Sequence, residues 1–266
     1  MVSVIIPCYN DGHFLHDAVN SVLDSSYNNI EIIIINDGST DLNTLKVLEQ
    51  LEQKGIKILH QSNKGLGFSR NRGIQEAKGK YILPLDADNK VTADYIKKAV
   101  KWLETLDYDI VYAKPFFFGE DLPERKFITY AFNGSDLLSR NYIDACAAFQ
   151  KTVWEQVANY DEHMPFAGHE DWEFWVHSFL KGFRFKFIDE ELFGYRISKK
   201  SMIGNMTDDR FEANQNYILL KHKVAVLDQV RKGIHYQKFY ENDQKNYFRT
   251  TLKYFVKAVK KLIKLK

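Results

Sequence analysis

The chain has 266 residues, 45% of them hydrophobic and 27% charged, which is material for one large core and excludes a disordered or fibrous chain. Its formal net charge is +2, yet residues 245–266 hold eight basic side chains and no acid, so residues 1–244 carry six net negative charges. An acidic body with a basic end excludes the broad basic face of a nucleic-acid protein and points to an anionic surface met by the tail.

Cys8 and Cys146 are the only cysteines, too few for a disulfide framework, and they form no CxxC pair, as expected of buried thiols in a reducing compartment. No charged segment precedes the apolar run at Val2, and no apolar run approaches the ~20 residues of a spanning helix. The expectation is a cytoplasmic protein, or one peripheral on the cytosolic face of a membrane.

Val2–Pro7 is a continuous apolar run, the signature of a strand buried on both faces. A helix follows, with Phe14, Leu15, Ala18, Val19, Val22 and Leu23 on one side. Glu31–Ile35 is a second buried strand, followed by a helix over Leu42–Gln53 that Gly55 stops. Ile56–His60, Tyr81–Leu85 and Asp109–Ala113 read as strands, separated by helices over Gly67–Lys78 and Ala93–Leu106. Repeated strand–helix units predict an α/β fold with a doubly wound, mainly parallel sheet and right-handed crossovers, whose ligands sit at the carboxyl ends of the strands. The second half is less regular. Asp144–Gln150 reads as a strand, His169–Lys181 as an amphipathic helix, Phe185–Ile188 and Leu192–Ile197 as short strands. Asp208–Leu227 and Asn246–Leu265 read as helices.

Chemistry-bearing residues fall at strand ends and helix starts. Pro7 closes the first strand and Tyr9 offers a ring to a base; the same residues also make an ordinary turn. Asp37, after the second strand, can accept from a base or ribose, or simply serve the turn. The stretch Asn63 to Asn71 holds a GxGxx fragment without the third glycine of a dinucleotide fingerprint and follows the third strand rather than the first. Arg70 and Asn71 lie in the first turns of the helix it opens, within reach of a phosphate or base. Asp86 and Asp88 close the fourth strand. On an extended chain residues i and i+2 point the same way, and two crowded carboxylates suit a divalent cation, Mn²⁺ or Mg²⁺, that could neutralise a departing diphosphate. Downstream, Glu170, Asp171 and Trp172 open the amphipathic helix. Acids there favour the helix dipole, or one of them is a general base for a hydroxyl.

In this order the stretches VSVIIPCYN (2–10), IEIIIINDGSTD (30–41), NKGLGFSRNRGIQEAKGKYILPLDADN (63–89) and YDEHMPFAGHEDWEFW (160–175) resemble family 2 glycosyltransferases of the GT-A fold, an inverting, bacterial envelope or polysaccharide type. The resemblance covers about residues 2–200, and the third stretch is its most specific part. It implies that Pro7, Tyr9, Asp37, Asn63 and Arg70 hold the nucleotide, that Asp86 faces the ribose and that Asp88 binds Mn²⁺ or Mg²⁺ under the diphosphate. It implies Asp171 as catalytic base, with Glu170 and Trp172 shaping the acceptor side. The donor is then a nucleotide-sugar, a UDP-sugar by default, and the acceptor a saccharide or lipid-linked glycan. Two departures stand out. Some relatives carry a His two residues after a Tyr-Arg pair, where this chain has Tyr195-Arg196-Ile197-Ser198. The Gln/Arg-x-x-Arg-Trp motif and spanning helices of processive synthases are missing, so addition of single sugars is expected. The expected organisation is a glycosyltransferase domain over 1–205, with a nucleotide half near 1–113 and an acceptor half near 114–205, then a helical appendage over 206–266.

Phe248, Leu252, Phe255, Val256, Val259, Leu262 and Ile263 recur at helical spacing opposite Arg249, Lys253, Lys257, Lys260 and Lys264. This is the pattern of an interfacial helix, and 246–265 is expected to meet an anionic membrane surface rather than pack on the domain. Two other readings remain. One is a non-catalytic nucleotide-sugar-binding scaffold in an envelope-assembly complex, against which the intact acidic pairs speak. The other is a nucleotidyltransferase, which would place a Gly-rich basic loop after the first strand, where Pro7-Cys8-Tyr9-Asn10 stands.

Overall fold

The structure is a computed structural model and describes residues 1–120, 126–198 and 206–245. In chain order, β1 is Val2–Cys8, α1 Gly12–Leu23, β2 Ile30–Asp37, α2 Leu42–Gln53, β3 Lys57–Gln61, α3 Leu66–Glu76, β4 Tyr81–Pro84 and β5 Lys90–Val91. Then come α4 Tyr95–Glu104, β6 Ile110–Gly119, α5 Gly134–Leu137, β7 Ala148–Gln150, α6 Lys151–Gln156, α7 Glu170–Leu180 and β8 Phe185–Ile197. Two helices close the described chain, α8 Asp208–Lys221 and α9 Lys223–Lys245. The eight strands form one sheet in the order β3-β2-β1-β4-β7-β6-β8-β5. The β3-β2-β1-β4 half is parallel throughout. Antiparallel β7 joins it to a second half in which β6 and β8 run parallel.

The apolar runs explain both core layers. Along β1, Val2, Val4, Ile6 and Cys8 face one layer with α1, α2 and α4, while Ile5 faces the other. Along β2, Ile32 and Ile34 join the first layer and Ile33 and Ile35 the second. Successive strand side chains point to opposite faces, so a strand covered on both sides must be apolar at every position. The second layer continues through Phe149, Phe174 and Trp175, with Phe149 and Phe174 ring centroids 5.2 Å apart. Turns are sealed by polar side chains. Asp41 caps α2, its Oδ2 accepting from the Thr44 N–H at 2.7 Å, as N-cap acids do.

Three elements differ from the sequence expectation. Phe185–Ile188 and Leu192–Ile197 are one strand, β8, whose register against β6 shifts around Lys114 and Pro115. An irregularity of this kind absorbs the polar Asp189 and Glu190 without ending the ladder, which resumes at Glu191 opposite Lys114. The helix expected over 208–227 breaks at His222 into α8 and α9. The final helix expected over Asn246–Leu265 lies outside the described residues. By their contacts, residues 1–218 form one compact unit and residues from Leu219 onward another. Among the described residues no helix is long and apolar enough to cross a membrane.

Candidate active site

The carboxyl ends of β1, β2 and β3 meet in a set of polar turns. Asn10 adopts a left-handed φ of 60°, which Asn tolerates better than most side chains, and its Oδ1 accepts from the Thr40 and Asp41 N–H groups at 2.8 and 3.0 Å. This ties the end of β1 to the end of β2. Pro7 is buried at the end of β1, and Tyr9 beside it is 47% exposed, an open ring at the mouth of the sheet. Asp37 ends β2 and is buried. Its carboxylate accepts from Gln61 Nε2 and the Lys64 N–H, both at 2.8 Å, and from the Gly65 N–H at 2.9 Å. Asp37 therefore holds the loop that carries the exposed Asn63. Three of about four lone-pair positions are in use, which leaves room for one ligand donor.

Asp86 and Asp88 follow β4 in a turn, closed by the Asn89 N–H donating to the Asp86 carbonyl at 3.0 Å. The expectation that they share a side of an extended strand is thus corrected: β4 ends at Pro84, and a turn brings the two carboxyls together instead. They still act on one another. The Asp88 carboxyl is pushed up to about 7 by burial first, then by Asp86 and Asp11, with Arg196 opposing. Arg196 lies close by, its Nε donating to the Asp88 carbonyl at 2.9 Å and its guanidinium resting on the rings of Phe14 and Phe118.

Arg70 was expected to reach a phosphate or base. It is 2% exposed, and its Nη2 donates to Asp86 Oδ1 at 2.8 Å. Burial alone would lower its pKa, but Asp86, Tyr160, Asp171 and Glu170 raise it further than burial lowers it, so the guanidinium is a permanent internal cation. In the structure the side chain turns inward, to Asp86 and the acids around it. Asn71, the next residue, clamps the chain at Tyr160, accepting from the Tyr160 N–H at 2.8 Å and donating to its carbonyl at 2.9 Å.

Glu170 and Asp171 open α7. Asp171 lies partly open. Its Oδ2 accepts from Asn141 Nδ2 at 3.0 Å and its Oδ1 from the Trp172 N–H at 2.8 Å. Burial raises its pKa above the usual carboxylate value, while Arg70 and Asn141 hold it back. Glu170 is buried, with Oε2 accepting from the Gly168 N–H at 2.9 Å, and burial raises its pKa too, against Arg70. Gly168 sits at φ 107°, a conformation few other residues adopt. Trp172 is fully buried, its Nε1 donating to the Leu137 carbonyl at 2.7 Å. At the third position of the α7 sequence EDW the ring points into the core, and its one donor is used there.

Two residues of the site, Asn141 and Asp144, escape the sequence reading, and two more, Tyr195 and Arg196, enter it only as a departure from the family pattern. Asn141 holds the Asp171 carboxylate. Asp144, half-buried, accepts from the Cys146 N–H at 2.8 Å, and its carboxyl is pushed up to about 8 by burial and then by Asp86. The Tyr195 hydroxyl, also driven up by burial, feels Asp144, Asp86, Asp88 and Asp171. Arg196 braces the Asp88 turn. Asp144 had one signal, a lone carboxyl inside the small apolar run Ile143 to Phe149, where a buried acid needs a reason. The others are ordinary residues until the chain folds.

The glycosyl transferase family 2 model matches residues 3–157, more than half of the chain. Glycosyltransferase GlyG of Streptococcus pneumoniae is 29% identical over 231 residues, 86% of this chain and 68% of that one. The uncharacterized glycosyltransferase EpsJ of Bacillus subtilis is 29% identical over 220 residues, 76% of this chain and 62% of that one. The chain thus spans about two thirds of the length of these relatives. Among solved structures, S. aureus TarS in complex with UDP-GlcNAc superposes with a TM-score of 0.64 at 20% identity, covering 80% of this chain and 64% of that one. The mannosyltransferase PcManGT from Pyrobaculum calidifontis, in complex with GDP-Man and Mn²⁺, superposes with a TM-score of 0.59 at 17% identity, covering 76% and 59%. At these identities the likeness carries the fold, which is the GT-A arrangement expected.

Proposed function

The chain belongs to glycosyl transferase family 2, and from that membership we propose that it transfers a single sugar from a nucleotide-sugar to a hydroxyl of a saccharide or lipid-linked glycan, with inversion. One observation carries the reading. Carboxyls from two distant stretches, Asp86 after β4 and Glu170 with Asp171 on α7, gather around the buried cation Arg70. A strand-end acid pair for a donor and a helix-start acid for an acceptor then belong to one cleft.

The donor set at Asp86 and Asp88 is oxygen only, the chemistry of Mg²⁺ or Mn²⁺ rather than of softer metals. The raised Asp88 carboxyl fits such an ion, since negative charge crowded there gains most from a positive neighbour. A bound ion supplies charge neutralisation for the departing diphosphate. Pro7, Tyr9, Asp37 and Asn63 line the nucleotide end, with UDP the default nucleotide. Arg70 pairs with Asp86 and holds down the pKa of Asp171 against burial. At Asp171 the carboxylate takes the acceptor's hydroxyl proton as that oxygen bonds to the anomeric carbon. The bond from that carbon to the diphosphate breaks on the opposite side, and the nucleoside diphosphate leaves. That TarS is seen with UDP-GlcNAc and PcManGT with GDP-Man and Mn²⁺ supports a nucleotide-sugar donor and a divalent metal.

The test offers the purified chain UDP-, GDP- and dTDP-sugars with Mn²⁺, beside Asp88→Ala and Asp171→Ala. One donor is expected to bind in a metal-dependent way and to be turned over. Asp88→Ala should weaken that binding, and Asp171→Ala should keep it while losing at least ~10²-fold in turnover, the usual contribution of a general base. A chain that binds none of the donors, with or without metal, or that binds one without turning it over, overturns the proposal.

A further inference from the structure

The loop that delivers the base is held by a helix outside the stretch the family model matches. Asn214, in the middle of α8, is fully buried. Its Oδ1 accepts from the Phe166 N–H at 3.0 Å, and its Nδ2 donates to the Phe166 carbonyl at 2.9 Å. The side-chain amide thus pairs with both backbone groups of Phe166, as the neighbouring strand of a ladder would. The same Nδ2 lies 3.1 Å from His169 Nδ1. Because an amide nitrogen only donates, that ring nitrogen is the acceptor and the imidazole proton sits on Nε2. Burial holds His169 below its ordinary pKa, in keeping with a neutral ring.

His169 is the residue that caps α7, and Asp171 stands two positions further on. Two further residues of α8 grip the same segment. The Phe211 ring stacks on Trp172 with centroids 5.3 Å apart and meets His169 edge-on at 5.4 Å. The Tyr217 hydroxyl donates to Asp161 Oδ2 at 2.9 Å. Phe211, Asn214 and Tyr217 recur every three residues, so they share one side of the helix. The loop from Asp161 to His169 is neither helix nor strand, and Gly168 gives it a sharp bend at φ 107°. Without an outside partner such a segment samples many paths into α7.

We propose that Asn214 is a positioning residue for the base: by acting as a backbone partner for Phe166 and fixing the His169 ring, it sets where α7 starts and therefore where the Asp171 carboxylate lies. Only a side-chain amide of this length offers an acceptor and two donors at once. The inference rests on the proposed function, since it matters for turnover only if Asp171 is the base. A misplacement of about 1 Å at a reacting group is enough to cost on the order of 10²-fold in rate.

The experiment uses the full chain, the donor of the panel that the wild-type chain hydrolyses, and its free nucleoside diphosphate as binding probe. Turnover is expressed per nucleotide-binding site, so that unfolded molecules do not count. Asn214→Ala should bind the nucleoside diphosphate within twofold of wild type, because Asn214 touches none of the nucleotide residues, while turnover per site falls tenfold or more. Asn214→Gln, which restores the amide on a longer arm, should recover part of the loss. Turnover per site within twofold of wild type in Asn214→Ala overturns the inference and leaves the function standing. A wild-type chain that turns over no donor overturns the proposed function, and the inference falls with it.

Discussion

At the scale of single residues, the site is organised by how a buried cation divides its influence among several acids. Arg70 pairs directly with Asp86 and acts through space on Asp144, Glu170 and Asp171. Asp171 has a second support, the Asn141 amide. In the proposed role of base Asp171 works as an anion, so turnover should fall as pH drops through its pKa. Removing the Asn141 donor destabilises the anion and raises that pKa. Asn141→Ala should therefore shift the acidic limb of the pH–turnover profile upward and leave the plateau above it largely intact, and an unmoved limb would show that Asn141 does not set the base. Asp144 makes a different prediction. Its carboxyl titrates near 3.8 when unfolded and at about 8 when folded, so folding takes up a proton in between. The stability tied to this group is complete below about pH 4 and is lost as pH rises toward about 8. An asparagine in place of this acid would keep the bond from the Cys146 N–H and stay neutral. In thermal denaturation the Asp144→Asn chain should gain on wild type by several degrees more at pH 8 than at pH 5, at roughly 2–4 °C per kcal/mol.

At the scale of elements, close approach decides where the site residues point. Gly73 lies on the face of α3 against the sheet. A Cβ there would stand 2.5 Å from Ile5 Cγ2 and 2.7 Å from Ile35 Cδ1, both in fully buried side chains. Gly73→Ala should therefore push α3 off β1 and β2, at a cost of about 1–3 kcal/mol typical of overpacking, and it should weaken nucleotide binding because Arg70 rides on the same helix. Thermal denaturation and nucleoside diphosphate titration measure the two effects. A stable variant with unaltered binding would mean that the helix can shift without disturbing the acids. At the other end of α3, a Cβ on Gly67 would stand 2.6 Å from the Asp161 carbonyl. The start of α3 and the loop before α7 thus touch, which is how stretches far apart in sequence come to lie side by side.

At the scale of the whole molecule, the acidic body and the basic end carry separate expectations. Residues 246–265 lie outside the described structure, and the expectation for them remains the sequence's own, contact with an anionic surface. Each basic residue near an anionic surface contributes about 1 kcal/mol at best. Co-sedimentation with anionic vesicles should therefore retain the full chain and release one ending at Gln244, with the difference shrinking at high salt. Equal retention of both chains would assign any membrane binding to the body instead.

The sequence alone determined much of this protein. Continuous apolar runs at Val2–Pro7 and Glu31–Ile35 announced strands covered on both faces, helical periodicity placed α1 to α4 and α7 within a few residues, and four ordered stretches identified the family. These features are legible because strand burial, helix amphipathicity and turn chemistry are local. What only the tertiary structure decided depends on contacts between distant stretches. Arg70 and Trp172 look available in sequence, yet the fold turns both inward, one to Asp86 and the other to the Leu137 carbonyl. Asn141 looks unremarkable in sequence, and the acid at Asp144 has no visible partner, until β7 pairs with β4 and brings their segment in. Asn214 carries no signal at all in sequence. A hydrogen bond between residues 166 and 214 leaves no periodic trace in either stretch, and it exists only because α8 packs against the loop that leads to Asp171.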